Sequence, residues 1–66
     1  MLVKVNGDDL ELGSDATLAD LLQVLSLGDA KVAIELNHTI VPRSQHAQQV
    51  LQNGDSIEIV HAIGGG

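Results

Sequence analysis

Four stretches of the chain alternate apolar and polar residues, and a fifth breaks the rhythm. Residues 1–6, MLVKVN, put Met1, Val3 and Val5 on one side and Leu2, Lys4 and Asn6 on the other. That is period two, the mark of a half-buried strand. Asn6-Gly7 follows, a signal for a tight type I′ hairpin turn, because both central residues of that turn need positive φ. Leu10 and Leu12 then alternate with Asp9, Glu11 and Gly13, which predicts the return strand. Over residues 17–27, TLADLLQVLSL, the period changes. Leu18, Leu21, Leu22 and Leu25 stand at i, i+3, i+4 and i+7, one face of a helix. Thr17 suits the N-cap, Asp20 three residues on completes a capping-box-like pair, and Gly28 supplies a stop. So short a helix is marginal alone and must dock on something. Val32, Ile34 and Leu36 alternate with Ala33, Glu35 and Asn37 in the next strand, and Ile40-Val41 is a short apolar pair cut off by Pro42. Ser44 is placed to cap one helical turn over residues 45–47, with Val50 and Leu51 packing inward. Asn53-Gly54-Asp55 reads as a turn. The last strand, residues 56–63, turns Ile57 and Ile59 inward and Glu58 and Val60 outward.

The order is therefore hairpin, helix, strand, turn region, strand. A single helix after a hairpin lies across one face of a mixed sheet, and the crossover lets the first and last strands pair in parallel. The fold class predicted is α+β: a β-grasp of four to five strands packed on one main helix. Residues 1–63 form the domain. Residues 64–66, all glycine, are expected to form a flexible tail beyond it.

Composition narrows the function. The chain has 66 residues, nine acidic against three basic, and a formal net charge of −6. That balance argues against nucleic acid, whose binders carry a basic footprint, and favours a basic protein partner or simple solubility. With no Cys there is no disulfide, no thiolate metal ligand and no Cys nucleophile. With no Phe, Tyr or Trp, the core must be built from Leu, Val, Ile and Ala. No apolar run reaches the length of a membrane span and no signal segment is evident, so we expect a cytoplasmic protein without membrane contact.

The side chains offer little chemistry. His38, His46 and His61 lack metal-motif spacing and read as surface or half-buried residues. Ser14, Ser26, Ser44 and Ser56 have no nucleophile context and read as caps and turns. The aspartates sit at turns and helix starts, without the oxygen-ligand spacing of a calcium loop. The tail is different. Residues 63–66 span about 13–14 Å when extended. With no Cβ on Gly64, Gly65 and Gly66, the arm fits a channel that any side chain would block. A terminal carboxylate, ionised at neutral pH, can attack the α-phosphate of a nucleotide and become an activated acyl group. Leu2, Val60 and Ala62 point away from the helix in this register. With Ile63 they would make an apolar docking patch at the root of the tail.

Beyond these readings, the segment Asn37-x-x-Ile40-Val41-Pro42-Arg43, its spacing to Asn53-Gly54-Asp55, the apolar last strand and the terminal glycines resemble the ThiS-type sulfur carriers of thiamine biosynthesis. The resemblance covers the whole chain. It implies a ubiquitin-like β-grasp whose terminal glycine, here Gly66, is adenylated by an E1-like enzyme of ThiF type using ATP and Mg²⁺. Sulfur from a cysteine desulfurase persulfide then gives a thiocarboxylate, which a ThiG-type thiazole synthase consumes. On this reading the chain binds no cofactor and is not an enzyme. Gly64 exceeds the Gly65-Gly66 pair that this chemistry requires. Three other readings stay open. A molybdopterin-type sulfur carrier has the same fold and tail, though such carriers tend to be longer and richer in aromatics. A protein modifier would end as an isopeptide adduct. A plain interaction module would not need Gly65 and Gly66 at all. Arg43 reads as a solvated charge.

Overall fold

A computed structural model of the protein describes residues 1–61. Strand β1 (Leu2–Val5) turns at Asn6-Gly7 into β2 (Asp8–Glu11), α1 (Leu18–Val24) follows, and then come β3 (Val32–Leu36), β4 (Thr39–Ile40) and β5 (Ser56–His61). The sheet has five strands in the order β2-β1-β5-β3-β4. β5 is central, parallel to β1 and antiparallel to β3. The mixed sheet and single helix match the β-grasp expectation.

The hairpin forms as its turn residues dictate. Asn6 and Gly7 both hold positive φ, at 50° and 89°. Alternation then buries Val3, leaves Leu2 and Lys4 exposed, and sends Leu12 into the core. Thr17 caps α1 through a reciprocal pair: its hydroxyl accepts from the Asp20 N–H at 3.1 Å, and the Asp20 carboxylate accepts from the Thr17 N–H at 2.9 Å. Leu18 and Leu21 are fully buried against Val3, Ile34 and Ile57 of the sheet. Each such side chain contributes about 1.5–3 kcal/mol by leaving water, so the helix is held by docking rather than by its own seven residues.

The helix stops earlier than its apolar stripe suggests, and not at Gly28. Leu25 is the C-cap, and Ser26 takes the left-handed conformation, φ 60°. The Leu27 N–H reaches the Leu22 carbonyl at 2.7 Å and the Ser26 N–H reaches that of Gln23 at 3.0 Å, the paired bonds of a Schellman ending. Gly28 instead leaves room for the Gln23 side chain, which a Cβ there would meet at 2.5 Å.

Residues 37–51 depart most from expectation. Asn37 and His38 both have positive φ, so a second tight turn joins β3 to β4. The short 3₁₀ turn spans Arg43–Gln45, follows Pro42, and contains Ser44 rather than being capped by it. Leu51 is buried but Val50 is half exposed. This segment lies extended beside the start of α1: Leu18 N–H bonds the Gln49 carbonyl and Leu51 N–H that of Ala16. Extended backbone alternates its side chains, so only one of the two residues can face the core. His46 is only 5% exposed, neither superficial nor half-buried. Its Nε2–H donates to the Val41 carbonyl at 3.0 Å, which satisfies the ring inside the fold.

Candidate functional site

The C-terminal strand is the natural place to look, because β5 lies at the centre of the sheet and directly precedes the glycines in sequence. Two asparagines hold it, one from each neighbour. Asn37, at the turn after β3, grips the start of β5. Its N–H donates to the Ser56 carbonyl at 2.8 Å, its Oδ1 accepts from the Ser56 N–H at 2.9 Å, and its Nδ2 donates to Asp55 Oδ1 at 3.1 Å. Asn6, at the turn after β1, grips the far end. Its N–H donates to the Ile57 carbonyl at 2.9 Å. Its Oδ1 accepts from the Ile59 N–H at 2.8 Å and its Nδ2 donates to the Ile59 carbonyl at 3.2 Å. The side-chain amide thus continues the β1·β5 ladder after the β1 backbone has turned away. Periodicity marks Asn6 as a turn position and Asn37 as a strand end, and Asn37 also opens the segment that carries the family resemblance. An amide side chain matched to an extended neighbour is a tertiary pairing, and no local pattern signals it.

The start of β5 carries further ties. Asn53 Oδ1 accepts the Leu2 N–H at 2.8 Å, the Gly54 N–H donates to the Leu2 carbonyl at 2.7 Å, and Asp55 Oδ2 accepts the Gln52 N–H at 2.8 Å.

These contacts correct the proposed patch. Leu2 and Val60 do point outward, 47% and 57% exposed. But the register pairs Lys4 with Ser56, so Leu2 lies level with the Asn53-Gly54 turn while Val60 lies near the far end of β5. At about 3.3 Å per residue the two are about 20 Å apart along the sheet. Adjacent parallel strands bring only matching positions together, and Leu2 sits away from the exit. Beside Val60 the structure places Ala33 of β3 instead, also exposed. Next along the same face stand Glu35 and Glu58, directly opposite each other. Ala62, Ile63, Gly64, Gly65 and Gly66 lie outside the described residues.

The remaining candidates do not converge. His38 is exposed on the β3–β4 turn, His46 is buried on Val41, and His61 is exposed at the end of β5. Among the described residues, no three His, Asp or Glu side chains come together as metal ligands. Arg43 is exposed on the 3₁₀ turn. Lys4 and Asp9 form an ion pair at 3.2 Å, but both are 60% exposed, so it contributes little. No helix of the described residues is long and apolar enough to cross a membrane.

A mixed five-stranded sheet under one helix, with the C-terminal strand at its centre, defines a ubiquitin-like β-grasp protein. Comparison with known proteins agrees and goes further. Residues 2–66 match the model of the ThiS family. The chain is 35% identical over 66 residues to the sulfur carrier protein ThiS of Escherichia coli K12, covering all of both chains. It is 41% identical to a segment of a thiazole synthase from Paramagnetospirillum magneticum, where it spans only 20% of that protein's length. The crystal structure of a thiamine biosynthesis protein (ThiS) from Geobacter metallireducens superimposes with a TM-score of 0.84 at 29% identity, covering both chains completely. The chain belongs to the ThiS family.

Proposed function

We propose that this protein is a sulfur carrier of thiamine biosynthesis that holds its sulfur as a thiocarboxylate on Gly66. The observation that carries the reading is the family match along the whole chain, running through the terminal glycines. A carrier of this kind needs a small rigid body, a thin arm and a carboxylate, and no reactive side chains of its own. The described residues offer a body with that character, a packed aliphatic core.

The chemistry follows from the carboxylate. One of its oxygens attacks the α-phosphate of ATP on a ThiF-type enzyme with Mg²⁺, and pyrophosphate leaves. A persulfide charged by a cysteine desulfurase then attacks the acyl carbon and displaces AMP. A thiol of the donor cleaves the S–S bond, is itself oxidised to a disulfide, and leaves the thiocarboxylate on Gly66. A thiazole synthase takes the sulfur. The similarity of this chain to part of a thiazole synthase supports that choice of acceptor. The enzymes supply the catalysis, in the cytoplasm, and the chain is the carried substrate. The three glycines Gly64, Gly65 and Gly66 leave the arm without side chains where it must enter the enzyme.

The test is ATP–pyrophosphate exchange with a ThiF-type enzyme. The unmodified chain should support exchange, and the same chain with its terminal carboxylate converted to an amide should not. Equal exchange by both would refute activation at Gly66.

A further inference from the structure

The β1 side of β5 changes character past Ile59. From Asp55, just before β5, successive odd positions turn their backbone groups toward β1. The Asp55 carbonyl takes the Lys4 N–H, the Ile57 carbonyl takes the Asn6 N–H, and Ile59 is met by the Asn6 side chain. By the same two-residue period His61 presents its N–H and C=O to that side. Among the described residues no hydrogen bond comes back to them from there, because β1 has already turned at Asn6-Gly7. Among the described residues this is an open backbone edge at the end of β5.

A cleft of about 350 Å³ lies alongside this edge, on the helix side of the sheet. Leu10, Leu25, Leu27 and Ile59 give it an apolar lining, and Asp8 stands with His61 among its polar residues. Asp8 is exposed, and Asp9 beside it is already engaged with Lys4.

We propose that this edge and cleft together receive an extended segment of the enzyme that activates Gly66. The segment pairs with His61 as an added strand in the position β1 has vacated. One apolar side chain enters the cleft, and a lysine or arginine faces Asp8. Main-chain bonds to an edge give such pairing its affinity, and a pocket for alternate side chains gives it selectivity. The negative charge of Asp8, on a chain of net charge −6, selects a basic segment over an acidic one. Asn6 sets the limit of the slot: its amide occupies the edge at Ile59 and leaves it open at His61. The inference rests on the carrier reading, and it assigns the recognition surface beside the reactive arm.

Amide exchange by NMR on the ¹⁵N-labelled full chain, with and without a ThiF-type enzyme, tests it. The His61 N–H should exchange fast in the free chain and at least about tenfold more slowly in the complex, as an edge amide does once paired. The Leu25 and Leu27 methyl resonances should shift with it. Asp8→Lys, a surface change that leaves the fold intact, should weaken enzyme binding by about tenfold at low salt and less at high salt. If Gly66 is adenylated but the His61 amide is not slowed, the strand-pairing inference is overturned and the carrier reading stands. If His61 is protected in concentrated carrier without enzyme, the occupant is a second copy and the inference is likewise overturned. If a competent enzyme neither binds nor adenylates the chain, both fall together.

Discussion

Asn6 and Asn37 do the same work at opposite ends of one strand. Each follows a strand that flanks β5, each has φ near 50°, and each presents a side-chain oxygen to a β5 N–H, Asn6 to Ile59 and Asn37 to Ser56. Their surroundings differ. The start of β5 is also tied by Asn53, Gly54 and Asp55, so Asn37 is one bond-maker among several. Toward the end of β5, among the described residues, Asn6 is the tie on the β1 side and β3 pairs with Val60 and His61. Among the described residues the difference shows a strand tied by many groups at its start and by few at its end, the end from which the proposed function would present the chain to an enzyme.

The widest break comes from the centre. Ile57 is fully buried and touches both halves of the sheet through its register with Val5 and Leu36. Ile57→Ala should cost about 2–5 kcal/mol in a denaturant melt, a loss severe for so small a domain. A cost well under that range would mean the two ends of β5 are not anchored through one core.

The asparagines sharpen the contrast next. Glycine at either position keeps the positive φ and removes only the amide. Asn37→Gly and Asn6→Gly should each cost about 1 kcal/mol of stability. Only Asn6→Gly should also slow adenylation at a given carrier concentration, because it frees the backbone at Ile59 without touching the start of the strand. Equal activity of the two variants in a pyrophosphate-exchange assay would erase the distinction between the ends.

The smallest effect belongs to the open face. Val60→Asp adds a charge beside Ala33 and next to the Glu35–Glu58 pair, where like charges already stand opposite. Thermal stability should fall by less than about 1 kcal/mol, and affinity for the activating enzyme should drop severalfold. Unchanged affinity, measured by calorimetry, would remove the open face from the docking surface.

The sequence pattern revealed the parts of this molecule that depend on period and on local chemistry. Alternation in MLVKVN, the Asn6-Gly7 turn, the Leu18–Leu25 stripe and the Thr17–Asp20 box all describe short-range preferences, and each appears in the fold. Three features escaped because their causes lie elsewhere in the chain. The second hairpin turn uses Asn37-His38, and His is a weaker sign of positive φ than Gly. The burial of His46 depends on the carbonyl of Val41, which only the folded loop supplies. The separation of Leu2 from Val60 follows from strand register, which alternation alone leaves undetermined along the strand axis. The candidate site divides the same way. The proposal of Gly66 as the reactive terminus rests on the tail's composition and the family resemblance, whereas the Asn6 clamp and the open edge at His61 emerge only from the paired strands.

Intact mass tests the central claim most directly. The chain would be incubated with ATP, Mg²⁺, a ThiF-type enzyme, a cysteine desulfurase and cysteine, then weighed and fragmented. The account predicts a gain equal to replacing one oxygen by sulfur, located on Gly66. An unchanged mass, with the same enzyme shown to charge another ThiS carrier, would contradict it.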